Sequence, residues 1–291
     1  MVLRDRPVRL AISRSGRPSR KCIRRILANM TMVITPEIPR AKDAQDVGFR
    51  WVSFTRASPP KVGQFWMRAN TKTGRSALAL SRELGIGYDA AWLLKHKLMQ
   101  AMVEREGRRQ LAGWVQLDDA YFGGERRGGP RGRGADGKQA FVAAVQCSEE
   151  GHPEVMRLDV VKGFSADEIG AWATRHLAPD TVVVSDALAG FNAVGEVAGT
   201  SHRRLRTGSG GHKCDHPALR WVNVMLGNVK TALRGTYHGP RRKYAQRYLG
   251  EFCYRFNRRF ELHRLVARLT YVLLRTPPLP YRMATVDAIA G

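Results

Sequence analysis

Two aspartates end short runs of residues that are typical of buried β-strands. Asp118 closes the run Trp114-Val-Gln-Leu-Asp118, and Asp186 closes the apolar run Thr181-Val-Val-Val-Ser-Asp186. The chain carries 49 Lys and Arg against only 25 Asp and Glu, so its carboxylates are used sparingly. Carboxylates at strand ends in a basic protein are suited to hold divalent metal in a nucleic-acid-cutting site. The two residues therefore indicate metal-dependent chemistry on DNA.

A further candidate lies on a helix that the apolar spacing predicts over residues 222–234, stopping at Gly235. Its apolar stripe, which would pack on a sheet, consists of Val222, Met225, Leu226, Val229 and Leu233. A second strip consists of Asn223, Gly227, Lys230 and Arg234. Because a mid-helix glycine costs about 1 kcal/mol relative to Ala, this strip predicts a close approach by DNA, by metal or, equally, by another helix.

The composition indicates a polyanionic partner. The formal net charge is +24, and each basic residue placed on a phosphate releases condensed counterions. No run approaches 18 apolar residues and no basic amphipathic helix with a bulky apolar face stands out, which disfavours a membrane. The four cysteines are far apart, so no disulfide framework is encoded and we expect a reducing cytoplasm.

The middle of the chain predicts an α/β fold. Strands are expected over residues 114–118, 141–147, 155–161 and 181–186, with a helix over about 166–177 before the last strand. Three antiparallel strands, a crossover helix and a fourth strand are the order of an RNase H-like core, a mixed sheet flanked by helices. The first and fourth strands are neighbours in that fold, which would bring Asp118 and Asp186 together.

Residues 75–103 predict a small helix-turn-helix-like segment in front of that core. Two helices, over 76–84 and 89–99, flank a glycine turn at 85–87. The second helix carries Lys95 and Lys97, which a recognition helix would present to the major groove of DNA. An ordinary helical hairpin is the alternative.

A second candidate DNA contact is the segment 125–138, between the first two predicted strands. It contains five glycines and five basic residues. Glycine lets the backbone approach a phosphate closely, and arginine supplies bidentate contacts. The candidate contacts are Arg126, Arg127, Arg131 and Arg133. A solvated surface hairpin is the alternative.

Five ordered segments together resemble the transposases of bacterial insertion sequences, most closely the IS1595 family. The segments are Val115-Gln-Leu-Asp-Asp-Ala-Tyr-Phe-Gly-Gly-Glu125, Val184-Ser-Asp-Ala-Leu-Ala189, Trp221-Val-Asn-Val-Met-Leu-Gly-Asn-Val-Lys230, Gly235-Thr-Tyr-His238 and Tyr254-Arg-Phe-Asn-Arg-Arg259. The resemblance runs from about residue 71 to about residue 262, and five motifs in order are far more specific than any one of them.

The resemblance implies a DDE-type catalytic site. Asp118 takes the place of the first catalytic acid, Asp186 the second and Asn223 the third, and Lys230 matches the lysine that follows the third residue. Most DDE enzymes have Glu at the third place, although a branch of this family resembles the present chain in using Asn. An amide oxygen is a legitimate ligand for a hard metal but brings no charge. Asp119 is expected on the opposite face of its strand, since side chains alternate.

The implied cofactor is Mg²⁺, as two ions, with Mn²⁺ also possible. Asp118 would bind both ions, Asp186 one and Asn223 the other. The implied reaction is hydrolysis of the phosphodiester at the ends of the element, followed by joining of the freed 3′-hydroxyl to target DNA. The implied partner is double-stranded DNA, at terminal inverted repeats and target sites, bound by a homo-oligomer in the bacterial cytoplasm at the nucleoid.

We therefore expect four segments along the chain. These are a basic, poorly specified start (1–70), a helix-turn-helix-like segment (71–110), the RNase H-like catalytic domain (111–275) and a tail (276–291). Family members usually open with a cysteine-rich zinc ribbon, whereas Cys22 stands alone here. Two alternatives stay open, namely a non-catalytic DNA-binding regulator and an RNase H-like nuclease without strand transfer.

Overall fold

The computed structural model describes residues 74–123, 138–197, 199–205, 216–237, 240–273, 275–277 and 279–285. The helices in these ranges are α1 (Ala77–Leu84), α2 (Tyr88–Gly107), α3 (Ala166–His176), α4 (Arg220–Tyr237), α5 (Ala245–Phe256), α6 (Leu262–Leu273) and α7 (Tyr281–Thr285). The strands are β1 (Trp114–Phe122), β2 (Gln139–Cys147), β3 (Pro153–Val160), β4 (Thr181–Asp186) and β5 (Thr200–Leu205). Short 3-10 turns lie at Ala189–Glu196, Pro217–Leu219, Arg242–Tyr244 and Arg259–Glu261.

The five strands form one mixed sheet in the order β3-β2-β1-β4-β5. The pairs β1–β2 and β2–β3 are antiparallel, whereas β1–β4 and β4–β5 are parallel. This five-stranded sheet with its flanking helices is consistent with the RNase H-like fold, so the α/β class is confirmed. The fifth strand was not expected, because its sequence, Thr200-Ser-His-Arg-Arg-Leu205, is too polar to read as a strand. Its polar composition suits an edge position.

The first strand is longer than the sequence suggested. Asp118 does not close β1, which continues to Phe122 in register with β2. The parallel pairing with β4, by contrast, stops at Leu117 and Ser185. Asp118 is therefore the first residue of β1 beyond its parallel neighbour, and β4 itself ends at Asp186.

Each face of the sheet buries its own apolar layer. One layer contains Ala120 and Phe122 of β1, Val184 of β4 and the inner faces of α4 and α5. The opposite layer contains Val115 and Leu117 of β1 together with α3 and the first 3-10 turn. The strict alternation along β1 follows from the two-residue period of a strand.

The paired helices α1 and α2 pack against α5 and α6 rather than standing apart from the rest of the described chain. The hydroxyl of Ser76 accepts from the backbone N–H of Ala79 and caps α1, and Gly85 ends that helix in the left-handed region at φ 66°. The second helix runs on to Gly107, well beyond the expected end at 99. The apolar side chains of both helices form a cluster with α6 and Tyr254.

The segment after α5 fastens α2 and α5 to the sheet. The carboxamide of Asn257 accepts from the Met156 N–H at 2.7 Å and donates to the Met156 carbonyl at 3.0 Å and to Glu106 at 2.7 Å. Arg258 also donates to Glu106. These contacts give the Tyr254–Arg259 motif a structural role at the junction of α2, β3 and α5. In the ranges described above, no helix is long and apolar enough to cross a membrane.

Candidate metal centre

The sheet brings together the two aspartates that the sequence singled out. They come from neighbouring parallel strands, and both stand where the β1–β4 pairing ends. Carboxylate oxygens of Asp118, Asp119 and Asp186 all lie within 4.8 Å of one another, and the three residues are half-buried. The predicted juxtaposition of Asp118 and Asp186 is confirmed.

Both acids belong to the side of the sheet that α4 covers. On β1, Asp118 precedes by two residues Ala120, which lies in the α4 layer. On β4, Asp186 follows by two residues Val184, which lies in the same layer. Since side chains two apart along a strand share a face, the carboxylates and α4 stand on one side of the sheet.

The position of Asp119 adds a carboxylate that the sequence analysis did not expect at this site. Strand alternation places Asp119 on the face of β1 that carries Leu117 and Tyr121, and its carboxylate nevertheless lies within 4.8 Å of the other two. At this point β1 has lost its parallel neighbour, so no strand separates its two faces on that side. A carboxylate from either face can therefore reach the space beyond the end of β4. The adjacent acid was visible in the sequence, but the end of the pairing was not.

The electrostatics of the acids are those expected of a cation site. Burial, then the charges of Asp119 and Asp186, raise the pKa of Asp118 to about 7, while a hydrogen bond from the Asp119 N–H and the charge of Lys230 act in the opposite direction. Asp186 is oriented by the Leu188 N–H, which donates to its carboxylate at 3.0 Å. Carboxylate oxygens are the ligands that Mg²⁺ and Mn²⁺ prefer. The donor set therefore fits a divalent cation, whose charge would relieve the repulsion among the three acids.

The helix that carries Asn223 is attached directly to β1. The side-chain oxygen of Gln116 accepts hydrogen bonds from the backbone N–H groups of Trp221 at 2.9 Å and Val222 at 3.0 Å. Asn223 is the next residue of the helix and is half-buried. Lys230, two turns further, is exposed, and its charge acts on Asp118. The role of Asn223 as a metal ligand stays a prediction.

The two strips predicted for this helix are present. Val222, Met225, Leu226 and Val229 are buried, and Leu233 packs against them. The other strip is open, since Gly227, Lys230 and Arg234 are exposed and a Cβ added at Gly227 would meet no atom of the described residues within 4 Å. The described part of the chain therefore gives no support to the helix-packing explanation of Gly227. The helix does not stop at Gly235 but ends at Tyr237.

The structure corrects the interpretation of Lys95 and Lys97. These lysines are only 6% and 8% exposed, whereas a phosphate contact needs an accessible ammonium group. Lys95 donates to the Arg75 carbonyl, lies 3.7 Å from the carboxylate of Glu251 and lies 3.7 Å from the ring centre of Tyr237. Burial, opposed by the charge of Glu251, lowers its pKa to about 8. Lys95 belongs to the packing between α2 and its neighbours, which is what an ordinary helical hairpin would show.

Of the remaining predicted DNA contacts, the structure describes only Arg234. Arg234 is exposed on the open strip of α4. The four arginines of the glycine-rich segment, Arg126, Arg127, Arg131 and Arg133, lie outside the described residues.

An RNase H-like sheet with acids where the pairing of two neighbouring parallel strands stops is the arrangement expected of a DDE-type transposase domain. The model of the ISXO2-like transposase domain, of the IS1595 group, matches residues 110–257, just over half of this 291-residue chain. The chain therefore belongs to this transposase family, and the expected family is confirmed. DNA is accordingly its partner in general. No curated protein matches the chain.

Proposed function

We propose that the chain cuts the phosphodiester bond at the ends of an insertion sequence and joins the freed 3′-hydroxyl to target DNA. The observation that carries this proposal is the approach of the Asp118 and Asp186 carboxylates, from neighbouring strands, inside a transposase domain. The DNA would be the terminal inverted repeats of the element and a target duplex, bound by a homo-oligomer.

The site is proposed to take divalent metal, Mg²⁺ as two ions or Mn²⁺ in its place. Asp118, Asp186 and Asn223 would hold it, and the observed approach of Asp119 adds a third carboxylate to the same space. When bound, such metal lowers the pKa of an attacking hydroxyl or water and stabilises the charge of the leaving oxygen. The chain's part is to hold oxygen ligands in place on two strands and a helix, with their side chains partly shielded from water.

The exposed strip of α4 is proposed to position the DNA. Lys230 is close enough for its charge to act on Asp118, and Arg234 is exposed one turn further along the helix. A phosphate lying on this strip would face both cations and would approach the helix closely at Gly227. Electrostatic attraction of this kind orients the backbone of DNA without reading its sequence.

The test uses the full chain with DNA duplexes taken from the sequences that flank its gene. Asp118→Asn and Asp186→Asn should each lower the Mg²⁺-dependent cleavage and joining rates by about a hundredfold or more, equivalent to at least about 2.7 kcal/mol of barrier. DNA binding should persist in both variants. The matched control is Asp167→Asn, because Asp167 is exposed at the start of α3, and it should keep full activity.

Duplexes that are already cut and carry a free 3′-hydroxyl separate the rival functions. A transposase joins these ends to a target duplex. Cleavage of intact DNA without joining would identify a nuclease and contradict strand transfer. DNA binding by the wild-type chain with no metal-dependent cleavage or joining would leave only the regulator.

A further inference from the structure

Gln116 is a polar residue buried in the central strand of the sheet. It is 4% exposed and lies between Val115 and Leu117, both of which are fully buried in the opposite apolar layer. A buried carboxamide is retained where it has hydrogen-bond partners that an apolar side chain could not replace. The partners of Gln116 therefore indicate what this residue does.

Those partners are backbone groups at the start of α4. The Gln116 oxygen accepts from Trp221 N–H and Val222 N–H, which lie 105 and 106 residues further along the chain. The first four N–H groups of a helix have no carbonyl partner within the helix. A residue of the helix's own N-terminus usually supplies the missing acceptor. Here a strand supplies it, and the cap also joins the helix to the sheet.

The residues joined by these two hydrogen bonds are close in sequence to two residues of the proposed site. Asp118 follows Gln116 by two residues on the same face of β1, and Asn223 follows Val222 by one residue on α4. We propose that Gln116 is a positioning residue, which sets the place of Asn223 relative to Asp118 by holding the first turn of α4 on β1. This proposal rests on the proposed function, because it matters only if Asp118 and Asn223 act together on metal.

Losing this contact should disturb the proposed metal site. Without the Gln116 oxygen, the two N–H groups lose their acceptor, and Val222 is fully buried, so its N–H has no ready access to water. The first turn of α4 must then move to find other partners. Groups that orient a metal ligand without touching the metal typically change affinity or activity by roughly 10–100-fold when removed.

The experiment measures Mn²⁺ affinity of the full chain by electron paramagnetic resonance, together with the rate of metal-dependent joining. Gln116→Met, which removes the acceptor at similar volume, should weaken Mn²⁺ binding by roughly tenfold or more and slow joining while DNA binding is kept. Gln116→Glu keeps an acceptor and places negative charge at a helix N-terminus, which is favourable, so it should bind Mn²⁺ nearly as the wild type does.

The matched control is Gln246→Met. The Gln246 carboxamide also bridges a helix and a strand, since it accepts from Val160 N–H at 2.7 Å and donates to the Leu158 carbonyl at 3.3 Å. That contact lies between α5 and the edge strand β3, on the side of the sheet away from β4. Gln246→Met should lower stability but leave Mn²⁺ affinity unchanged. If Gln116→Met does not fold, Gln116→Asn, whose amide is one methylene shorter, should show the same loss of affinity.

A double-mutant cycle with Asn223→Ala distinguishes positioning from general damage. If Gln116 acts through Asn223, adding Gln116→Met to Asn223→Ala should have no further effect on Mn²⁺ affinity. Wild-type affinity in Gln116→Met, or an undiminished loss in the Asn223→Ala background, would overturn the proposal while leaving the proposed function intact. If the wild-type chain itself binds no Mn²⁺, the metal site fails, and this proposal fails with it.

Discussion

At the scale of single residues, the site combines a neutral third position with a supplementary acid. The family resemblance puts Asn223 where most DDE enzymes have a glutamate, so this position brings no charge to a metal. The structure places the carboxylate of Asp119 with those of Asp118 and Asp186. The described residues therefore offer three carboxylates, although they differ in position from those of a DDE site.

Substitutions at Asn223 test whether this residue is a ligand. Asn223→Ala removes the oxygen and should strongly reduce joining and Mn²⁺ affinity. Asn223→Glu supplies a charged oxygen and should retain activity or bind metal more tightly. Binding is measured by calorimetry and joining with pre-cut ends. Wild-type behaviour of Asn223→Ala would show that the third ligand lies elsewhere, and a dead Asn223→Glu would show that the site requires a neutral ligand.

The residue-scale predictions succeeded where a local pattern decides the geometry. Asp118 and Asp186 could be paired from the sequence because strand order and the two-residue period place them. Lys95 could not be placed, because it forms an ion pair with Glu251, which lies far along the chain on α5. Glu251 is also bound by Arg255 and Tyr237, and it does not join the acid cluster among the described residues. Residue type alone suggested a DNA contact for Lys95.

At the scale of elements, α4 is held at both of its ends. Gln116 holds the first turn. At the other end the Tyr237 hydroxyl donates to Glu251 at 2.7 Å, and the ammonium group of Lys95 lies over the Tyr237 ring. A functional side chain keeps its geometry when the element that carries it is fixed in this way. The helix therefore presents Asn223, Gly227 and Lys230 as one rigid strip.

Gly227→Ala tests whether DNA lies against this strip. The added methyl group meets no atom of the described residues, and Ala is a better helix former than Gly, so the free energy of unfolding should rise by about 1 kcal/mol. DNA joining should nevertheless slow, because the methyl group would stand between the helix and the phosphate backbone. Urea unfolding and joining rates are measured on the same preparation. A variant that is more stable and fully active would exclude a close approach at Gly227.

Element boundaries were predicted less well than the elements themselves. The bounds of β4 were correct, because Thr181 follows a turn and Asp186 ends the apolar run. The ends of β1 and α4 were placed too early, since a polar residue in one and Gly235 in the other were taken as stops. In the structure, tertiary contacts extend both elements, β1 through its pairing with β2 and α4 through the bond of Tyr237 to Glu251.

At the scale of the whole molecule, buried charges join α2 to α5 and to the segment that follows α5. Lys95 pairs with Glu251, and Glu106 pairs with Arg258. The apolar cluster of α1, α2 and α6 lies at the same junction. The segments before and after residue 110 are therefore packed together within the described residues. Helix α2 contributes buried apolar side chains to this junction.

Two buried histidines predict how the stability of the molecule depends on pH. Burial, followed by the charge of Arg247, lowers the pKa of His96 to about 3, and burial, opposed by Asp159, lowers that of His176 to about 4. Both histidines stay neutral in the folded chain at pH 5 but protonate in the unfolded chain below about 6.5. Below about pH 6.5 the unfolded state thus binds more protons than the folded state. As the pH falls through this range, each histidine should lower the free energy of unfolding by up to about 1.4 kcal/mol per pH unit.

Urea unfolding between pH 7 and pH 5 measures this slope. His176→Gln should make it shallower, because one of the two histidines no longer titrates. His152→Gln is the control, since His152 is exposed, and it should leave the slope as in the wild type. An equal slope in His176→Gln and the wild type would contradict a neutral, buried His176.

The central claim is that Asp118 and Asp186 form one metal site, and Mn²⁺ binding to the full chain without DNA tests it most directly. The wild type should bind Mn²⁺. Asp118→Asn and Asp186→Asn should each weaken that binding by at least roughly tenfold, since removing a group that merely orients a metal ligand already has an effect of that size. Asp167→Asn should bind as the wild type does. Unchanged Mn²⁺ affinity in Asp118→Asn and Asp186→Asn would contradict the claim.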